Sequence, residues 1–186
     1  MAWDLLLRRE TDSDYSIDLP GSTKTTPLKL EFSPAESRAL KLLEPSTRVH
    51  VIEVIGWARS HGIPAKLSTQ AVIYTPAEAE RHYREGRSGI APGRLDWHQV
   101  GRAYHLVIVD PSTGKLDEPA YARVAAHVRS VGGEWLGDKT IVTPRGPIRD
   151  TAHYEYHPDF DIATYRKMPL AQVEYRKAQE RAAKYG

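Results

Sequence analysis

Three histidines dominate the residues of this chain that could perform chemistry. The chain has eight histidines and no cysteine, so a metal site must use imidazole and carboxylate ligands. His98 and His105 lie seven positions apart on either side of Gly101, and this glycine is expected to end any helix between them. We therefore predict that His98 lies on a loop and that His105 lies early in a strand.

The surroundings of His105 leave two interpretations open. A strand predicted from Ala103 to Val109 would place His105 on the same face as Ala103, Val107 and Val109, and we expect that face to point into the protein body. A lone buried histidine is more often a core residue bonded to backbone than a metal ligand. The second interpretation, that His105 binds a metal, is favoured by further histidine and carboxylate residues downstream.

His153 is flanked by carboxylates, with Asp150 three residues before it and Glu155 two residues after it. This spacing allows one side chain to hold a metal ion while a neighbouring carboxylate handles a proton of water. Either acid could be the base. Strand alternation puts His153 and Glu155 on one face, so Glu155 could instead accept a hydrogen bond from a ligand imidazole.

The segment from Arg81 to Tyr156 resembles the zinc peptidases that include D-alanyl-D-alanine carboxypeptidases of the VanY type, vancomycin-resistance D,D-dipeptidases and phage L-alanyl-D-glutamate endopeptidases, which serve as endolysins. The resemblance depends on the order and spacing of short motifs more than on any one of them. These motifs are Tyr83-Arg-Glu-Gly86-Arg87-Ser88, His98 with Gly101, Ala103 and His105, the segment from Trp135 to Asp138, and Asp150 with His153-Tyr154-Glu155.

The resemblance implies a Zn²⁺ cofactor held by His98 and His153, with Asp150 as the general base. The third ligand falls at His105, where the family has aspartate, and histidine is an equally competent zinc ligand. The serine that the family has two residues before its first histidine is replaced here by Asp96.

The arginine that the family uses to stabilise the developing oxyanion is replaced here by Tyr74. A tyrosine hydroxyl donates one hydrogen bond, whereas arginine offers a charged fork, so the role could pass to Arg87 or Arg102. Trp97 and Trp135 could line a substrate groove, although tryptophans at such positions are as often core anchors.

Helix-start signals place the elements around these residues. Ser33 and Thr75 each precede proline and a first-turn acid, and Thr47 is predicted to cap a helix between them. We expect helices over about 34–43, 47–62, 76–86 and 118–131, and strands over 103–109 and 154–156. The predicted fold is α+β, with a small antiparallel sheet that carries the zinc site and is flanked by helices.

The length of 186 residues suits one domain with additions at both ends. We predict an irregular N-terminal arm over 1–32, a zinc peptidase domain over 33–166 and a helical tail over 167–186, packed through Leu170 and Val173.

The charge balance of 26 basic and 24 acidic residues gives no reason to expect nucleic-acid binding. The N-terminal apolar run Leu5–Leu7 is too short for a signal peptide or membrane insertion. We therefore expect a monomer that is made in the cytoplasm without a signal peptide and reaches the cell wall by another route, as a phage endolysin does.

The predicted function is hydrolysis of peptide bonds in the stem peptides of bacterial peptidoglycan by metal-activated water, either as a carboxypeptidase or as an endopeptidase. The alternative is a zinc-stabilised wall-binding or phage tail-associated module with weakened catalysis, which the changes at His105 and Tyr74 favour.

Overall fold

A computed structural model of the chain describes residues 7–9, 14–17, 28–70 and 72–185. Most of the predicted N-terminal arm, 1–32, and part of the apolar run at Leu5–Leu7 lie outside the described residues. Within the described part of the chain, no helix has the length and hydropathy needed to cross a membrane.

The secondary structure alternates short strands with helices. In chain order the elements are β1 (Leu7–Arg9), β2 (Asp14–Ile17), β3 (Leu28–Glu31), α1 (Pro34–Leu42), α2 (Pro45–Ser60), β4 (Lys66–Leu67), α3 (Pro76–Arg84), α4 (Trp97–Val100), β5 (Ala103–Val107), α5 (Glu118–Ser130), β6 (Glu134–Trp135), β7 (Ile141–Thr143), β8 (Gly146–Ile148), β9 (His153–Glu155), α6 (Ile162–Tyr165) and α7 (Pro169–Tyr185).

A four-stranded antiparallel sheet in the order β4-β5-β9-β6 lies at the centre of the fold. The strands β1, β2 and β3 form a separate antiparallel sheet, and β7 and β8 form a hairpin. The fold is α+β with a small antiparallel sheet, as predicted.

One face of the central sheet forms the main hydrophobic core with α1, α2 and α5. Tyr104, Leu106, Ile108 and Tyr154 are fully buried on this face, against apolar side chains of the helices. The prediction that the face of His105 points into the body is confirmed at Ala103, which is buried in a second apolar cluster, and is wrong at Val107, which is 39% exposed. The bulkier residues of β5 occupy the even-numbered positions, so the helices cover that face and leave His105 on the opposite one.

The helix-start signals at Ser33 and Thr75 are confirmed, since each residue forms a capping box with the acid three residues later. The start predicted at Thr47 is wrong. The helix α2 begins at Pro45, and the side chain of Glu44 accepts hydrogen bonds from the backbone of Ser46 and Thr47. Proline at the first helical position is favourable because its missing N–H would have no helical partner.

The C-terminal helix α7 packs on α1 and α4. Its buried residues are Ala171 and Ala178, whereas the predicted packing residue Leu170 is 37% exposed and is a wrong prediction. Small alanine side chains let α7 approach closely enough for Glu174 to reach Arg102, whose guanidinium donates two hydrogen bonds of 2.8 Å to its carboxylate.

We expect Arg102→Ala to lower the free energy of unfolding by about 3 kcal/mol, because removal of one partner leaves the other charge poorly compensated in a largely buried place. Chemical denaturation measures this change. Arg84→Ala is the control. Arg84 forms an exposed ion pair with Glu80, and its loss should lower the free energy of unfolding by less than about 1 kcal/mol. Equal losses in the two variants would contradict the prediction.

Candidate metal centre

Three elements bring His98, His105 and His153 together. His98 lies in α4, and the other two lie on the neighbouring antiparallel strands β5 and β9, where they are directly paired. The prediction that His98 lies on a loop is wrong, because Asp96 caps a short helix there, accepting a 2.8 Å hydrogen bond from the backbone of Gln99.

Gly101 allows the turn from α4 into β5. It has φ of 78°, in the left-handed region, which glycine adopts without steric cost. A Cβ atom at this position would lie 2.9 Å from the backbone nitrogen of Glu44. Glycine is thus required here both for its conformation and for the close approach of the chain before α2.

The three imidazoles form one cluster. The ring centroids of His98 and His105 lie 4.8 Å apart, those of His98 and His153 4.9 Å apart, and those of His105 and His153 5.0 Å apart. One ring nitrogen from each histidine lies within 4.8 Å of the other two. Two nitrogens on one tetrahedral zinc ion are about 3.4 Å apart, so the group fits a shared ion after small side-chain rotations.

The two ring nitrogens of His98 differ, and Nε2 is the one available to a ligand. Its Nδ1 lies 3.3 Å from the carbonyl oxygen of Val72, which can only accept, so Nδ1 carries the proton. Its Nε2 is buried and has no hydrogen-bond partner among the residues that the structure describes. Burial and the neighbouring histidines hold the pKa of His98 well below its usual value, which keeps a lone pair on Nε2 for a metal ion.

His153 is oriented by a carboxylate. Its Nε2 donates a 3.0 Å hydrogen bond to Oε1 of Glu155, which leaves Nδ1 as the free nitrogen, 3.8 Å from Oδ2 of Asp150. A carboxylate on the second nitrogen is the usual way in which a protein fixes a metal-binding imidazole.

Asp150 lies beside two of the three histidines. Its Oδ2 is 3.2 Å from Nε2 of His105. Burial acts to raise the pKa of Asp150, but the hydrogen bond from His105 and the charges of His105 and His153 outweigh it and lower the pKa below its usual value. Asp150 is therefore a carboxylate at neutral pH and can accept a proton.

Glu155 has both oxygens engaged, one by His153 and the other by Nε2 of His157 at 3.0 Å. Burial acts to raise its pKa, and these two hydrogen bonds lower it to about 2. Of the two roles considered for Glu155, its hydrogen bonds favour that of an acceptor for a ligand imidazole over that of the base.

Tyr74 contacts the histidine cluster, and Arg87 lies near Tyr74. The ring of Tyr74 stacks on His98 with centroids 4.4 Å apart, and burial raises the pKa of its hydroxyl, which stays protonated as a donor. Arg87 forms an exposed ion pair with Glu85, and its positive charge acts to lower the pKa of Tyr74 against the larger effect of burial.

The other three predicted site residues lie in packed surroundings. Arg102 is 8% exposed, and its guanidinium is bound to Glu174 of α7. Trp97 is buried against Tyr165 and stacks on His157. Trp135 is buried and donates through Nε1 to the carbonyl of Thr151. The burial of both tryptophans favours the core-anchor alternative, and a role in a substrate groove stays a prediction.

A second group of possible ligands, Glu134, Glu155 and His157, adjoins the first. The sequence analysis did not assign His157 to a group of possible ligands. The signal was present, because residues 153, 155 and 157 alternate along an extended segment and therefore share a face.

No family profile matches the sequence, and no curated protein matches it. Among solved structures, the L-Ala D-Glu endopeptidase ChiX of Serratia marcescens is similar, with a TM-score of 0.50 and 22% identity over 68% of this chain and 89% of that chain. The LD-carboxypeptidase LdcB has a TM-score of 0.46 and 14% identity, covering 95% of this chain and 92% of its own. DacB of Streptococcus pneumoniae has a TM-score of 0.46 and 15% identity, covering 90% and 94%.

The chain is thus an α+β protein with a three-histidine cluster formed by α4 and the paired strands β5 and β9 of its central sheet. It has the fold of the endopeptidase ChiX. The resemblance predicted from the motifs between Arg81 and Tyr156 is confirmed at the level of the fold.

Proposed function

We propose that this protein is a zinc-dependent peptidase that hydrolyses stem peptides of bacterial peptidoglycan. The observation that carries the proposal is the convergence of three imidazoles beside the carboxylate of Asp150. The likeness in fold to an L-Ala D-Glu endopeptidase supports the choice of substrate, because the L-Ala–D-Glu bond is a bond of peptidoglycan stem peptides.

His98 would bind zinc through Nε2 and His153 through Nδ1, the nitrogens left free by their other hydrogen bonds. His105 completes the set. Zinc with three imidazole ligands acidifies water and polarises a peptide carbonyl as a Lewis acid. Three neutral ligands leave the site with a higher positive charge than the family's two histidines and one aspartate, which strengthens both effects.

Asp150 supplies the proton transfers. As a carboxylate next to His105 and His153, it accepts a proton from the attacking water and returns it to the nitrogen of the leaving amine. The pKa of Asp150 lies below its usual value, so the side chain is already a carboxylate and is ready to act as a base before the substrate arrives.

Tyr74 is our candidate for stabilising the negative charge that develops on the carbonyl oxygen. We expect Tyr74→Phe to lower kcat about 100-fold while zinc content stays unchanged, because one donor to an oxyanion is lost. Steady-state kinetics on a stem peptide measure this effect. Tyr185→Phe, at the end of α7 and beside Lys184, is the control; equal kinetics for Tyr74→Phe and wild type would reassign the role to Arg87.

The experiment for the proposed function combines metal analysis with digestion of purified peptidoglycan. We expect one zinc ion per chain and new terminal amino groups in the digest. Mass spectrometry of the fragments would distinguish an endopeptidase, which cuts within the stem, from a carboxypeptidase, which releases its terminal residue.

Wall binding without new amino groups, by protein shown to contain zinc, would contradict the proposal and favour the alternative of a catalytically weakened wall-binding or tail-associated module. Action on the cell wall follows from the proposed substrate. An endolysin role in a phage context, a monomeric state and the absence of nucleic-acid binding stay predictions.

A further inference from the structure

A chain of hydrogen bonds links His153 to Glu155, to His157 and to the backbone carbonyl of Phe160. His153 donates to Oε1 of Glu155, Nε2 of His157 lies 3.0 Å from Oε2 of the same carboxylate, and Nδ1 of His157 lies 2.9 Å from the carbonyl oxygen of Phe160. Glu155 is thereby held from both sides, by a candidate ligand and by a second histidine.

The directions of these bonds follow from the partners. The carbonyl of Phe160 can only accept, and so can the carboxylates of Glu155 and of Glu134, whose Oε2 lies 3.3 Å from Nε2 of His157. His157 therefore acts as a donor to Glu155 and is itself anchored to backbone. Rotation of Glu155 away from His153 would break the bond to His157 as well.

The ring of His157 is also fixed from its flat side. It stacks on the indole of Trp97 with centroids 4.4 Å apart and planes within 9°. Trp97 is the first residue of α4 and directly precedes His98. The contact thus joins the helix that carries one candidate ligand to the segment after β9, the strand that carries another.

We propose that His157 is a positioning residue for the metal centre, holding Glu155 so that His153 presents Nδ1 to the ion, and tying this arrangement to α4 through Trp97. The inference rests on the proposed function only in taking the ion to be zinc. Its effect is on metal affinity, which is measurable without any peptidase assay.

The test is the dissociation constant for zinc, determined by competition with a chromophoric chelator. We expect His157→Ala to weaken zinc binding about tenfold, as loss of a partner outside the ligand shell commonly does. His157→Gln keeps an amide donor near the position of Nε2 and should recover most of the affinity. If His157 served only to stabilise the fold, zinc affinity would change in parallel with the stability of the zinc-free protein. Recovery of affinity in His157→Gln, with the stability of the zinc-free protein unchanged, would exclude such a role.

His61→Ala is the matched control. His61 also stacks on a tryptophan, Trp57, with centroids 4.2 Å apart, but it lies at the end of α2, where its ring contacts Ser60 and the carbonyl of Trp57. Its loss should leave zinc affinity unchanged. If His157→Ala does not fold, the comparison of His157→Gln and Trp97→Phe with wild type provides the same measurement.

Two results would overturn the proposal. One is a zinc affinity for His157→Ala equal to that of wild type. The other is two zinc ions per wild-type chain with one lost in His157→Ala, which would make Glu134, Glu155 and His157 a second metal site. Zinc binding with the expected pattern but no peptidoglycan cleavage would contradict the proposed function and leave the role of His157 intact.

Discussion

His153→Ala is expected to abolish stoichiometric zinc binding and, with it, peptidase activity. Zinc sites with four protein ligands bind with about 10–16 kcal/mol, so each ligand contributes about 3 kcal/mol, or more than a hundredfold in affinity. The substitution also removes the imidazole that donates a 3.0 Å hydrogen bond to Oε1 of Glu155. Metal analysis after gel filtration, together with a digestion assay, measures both effects.

His98→Ala should give the same loss, since Nε2 of His98 is buried and lacks a hydrogen-bond partner within the described part of the chain. The two variants therefore test a shared ion and not only one residue. His61→Ala, which removes an exposed imidazole at the end of α2, controls for nonspecific zinc binding by histidine. One zinc ion retained in both His98→Ala and His153→Ala would contradict a site shared by the three imidazoles.

The members of the site could be predicted from the sequence because they depend on residue type and order. His98, His105, His153 and Asp150 were all chosen from spacing and from family resemblance, and the structure brings the four together. Gly101 was correctly predicted to end the preceding helix, since its left-handed conformation is one that glycine adopts readily.

The orientation of β5 could not be predicted from its own residues. Both faces of the strand carry apolar side chains, with Ala103 and Val107 on one and Tyr104 and Leu106 on the other. Alternation defines the two faces but does not say which one the helices cover. That choice depends on α2 and α5, which pack on the bulkier face and bury Tyr104 completely.

Arg102 illustrates a different limit of sequence reasoning. It was considered as a replacement for the missing oxyanion arginine, but its partner Glu174 lies 72 residues away in α7. Sequence spacing reveals local pairs, whereas an ion pair formed by packing of a distant helix becomes visible only in three dimensions. The same packing positions α4, because α7 contacts it directly.

The base assignment makes a second strong prediction. Asp150→Asn should lower kcat about 1000-fold, within the range for loss of a general base, while zinc affinity and KM change little. Asparagine has nearly the same shape and its oxygen can still accept the hydrogen bond from His105, but it cannot take a proton from water at neutral pH.

Kinetics of the zinc-loaded variant on a stem peptide test this prediction, with Asp138→Asn as the control. Asp138 is an exposed acid paired with Arg129, so its replacement should leave kcat unchanged. Glu155→Gln gives the decisive comparison, because Glu155 accepts from two histidines and its loss should weaken zinc binding and not proton transfer. A 1000-fold fall in kcat at full zinc occupancy for Glu155→Gln, with a small effect of Asp150→Asn, would make Glu155 the base.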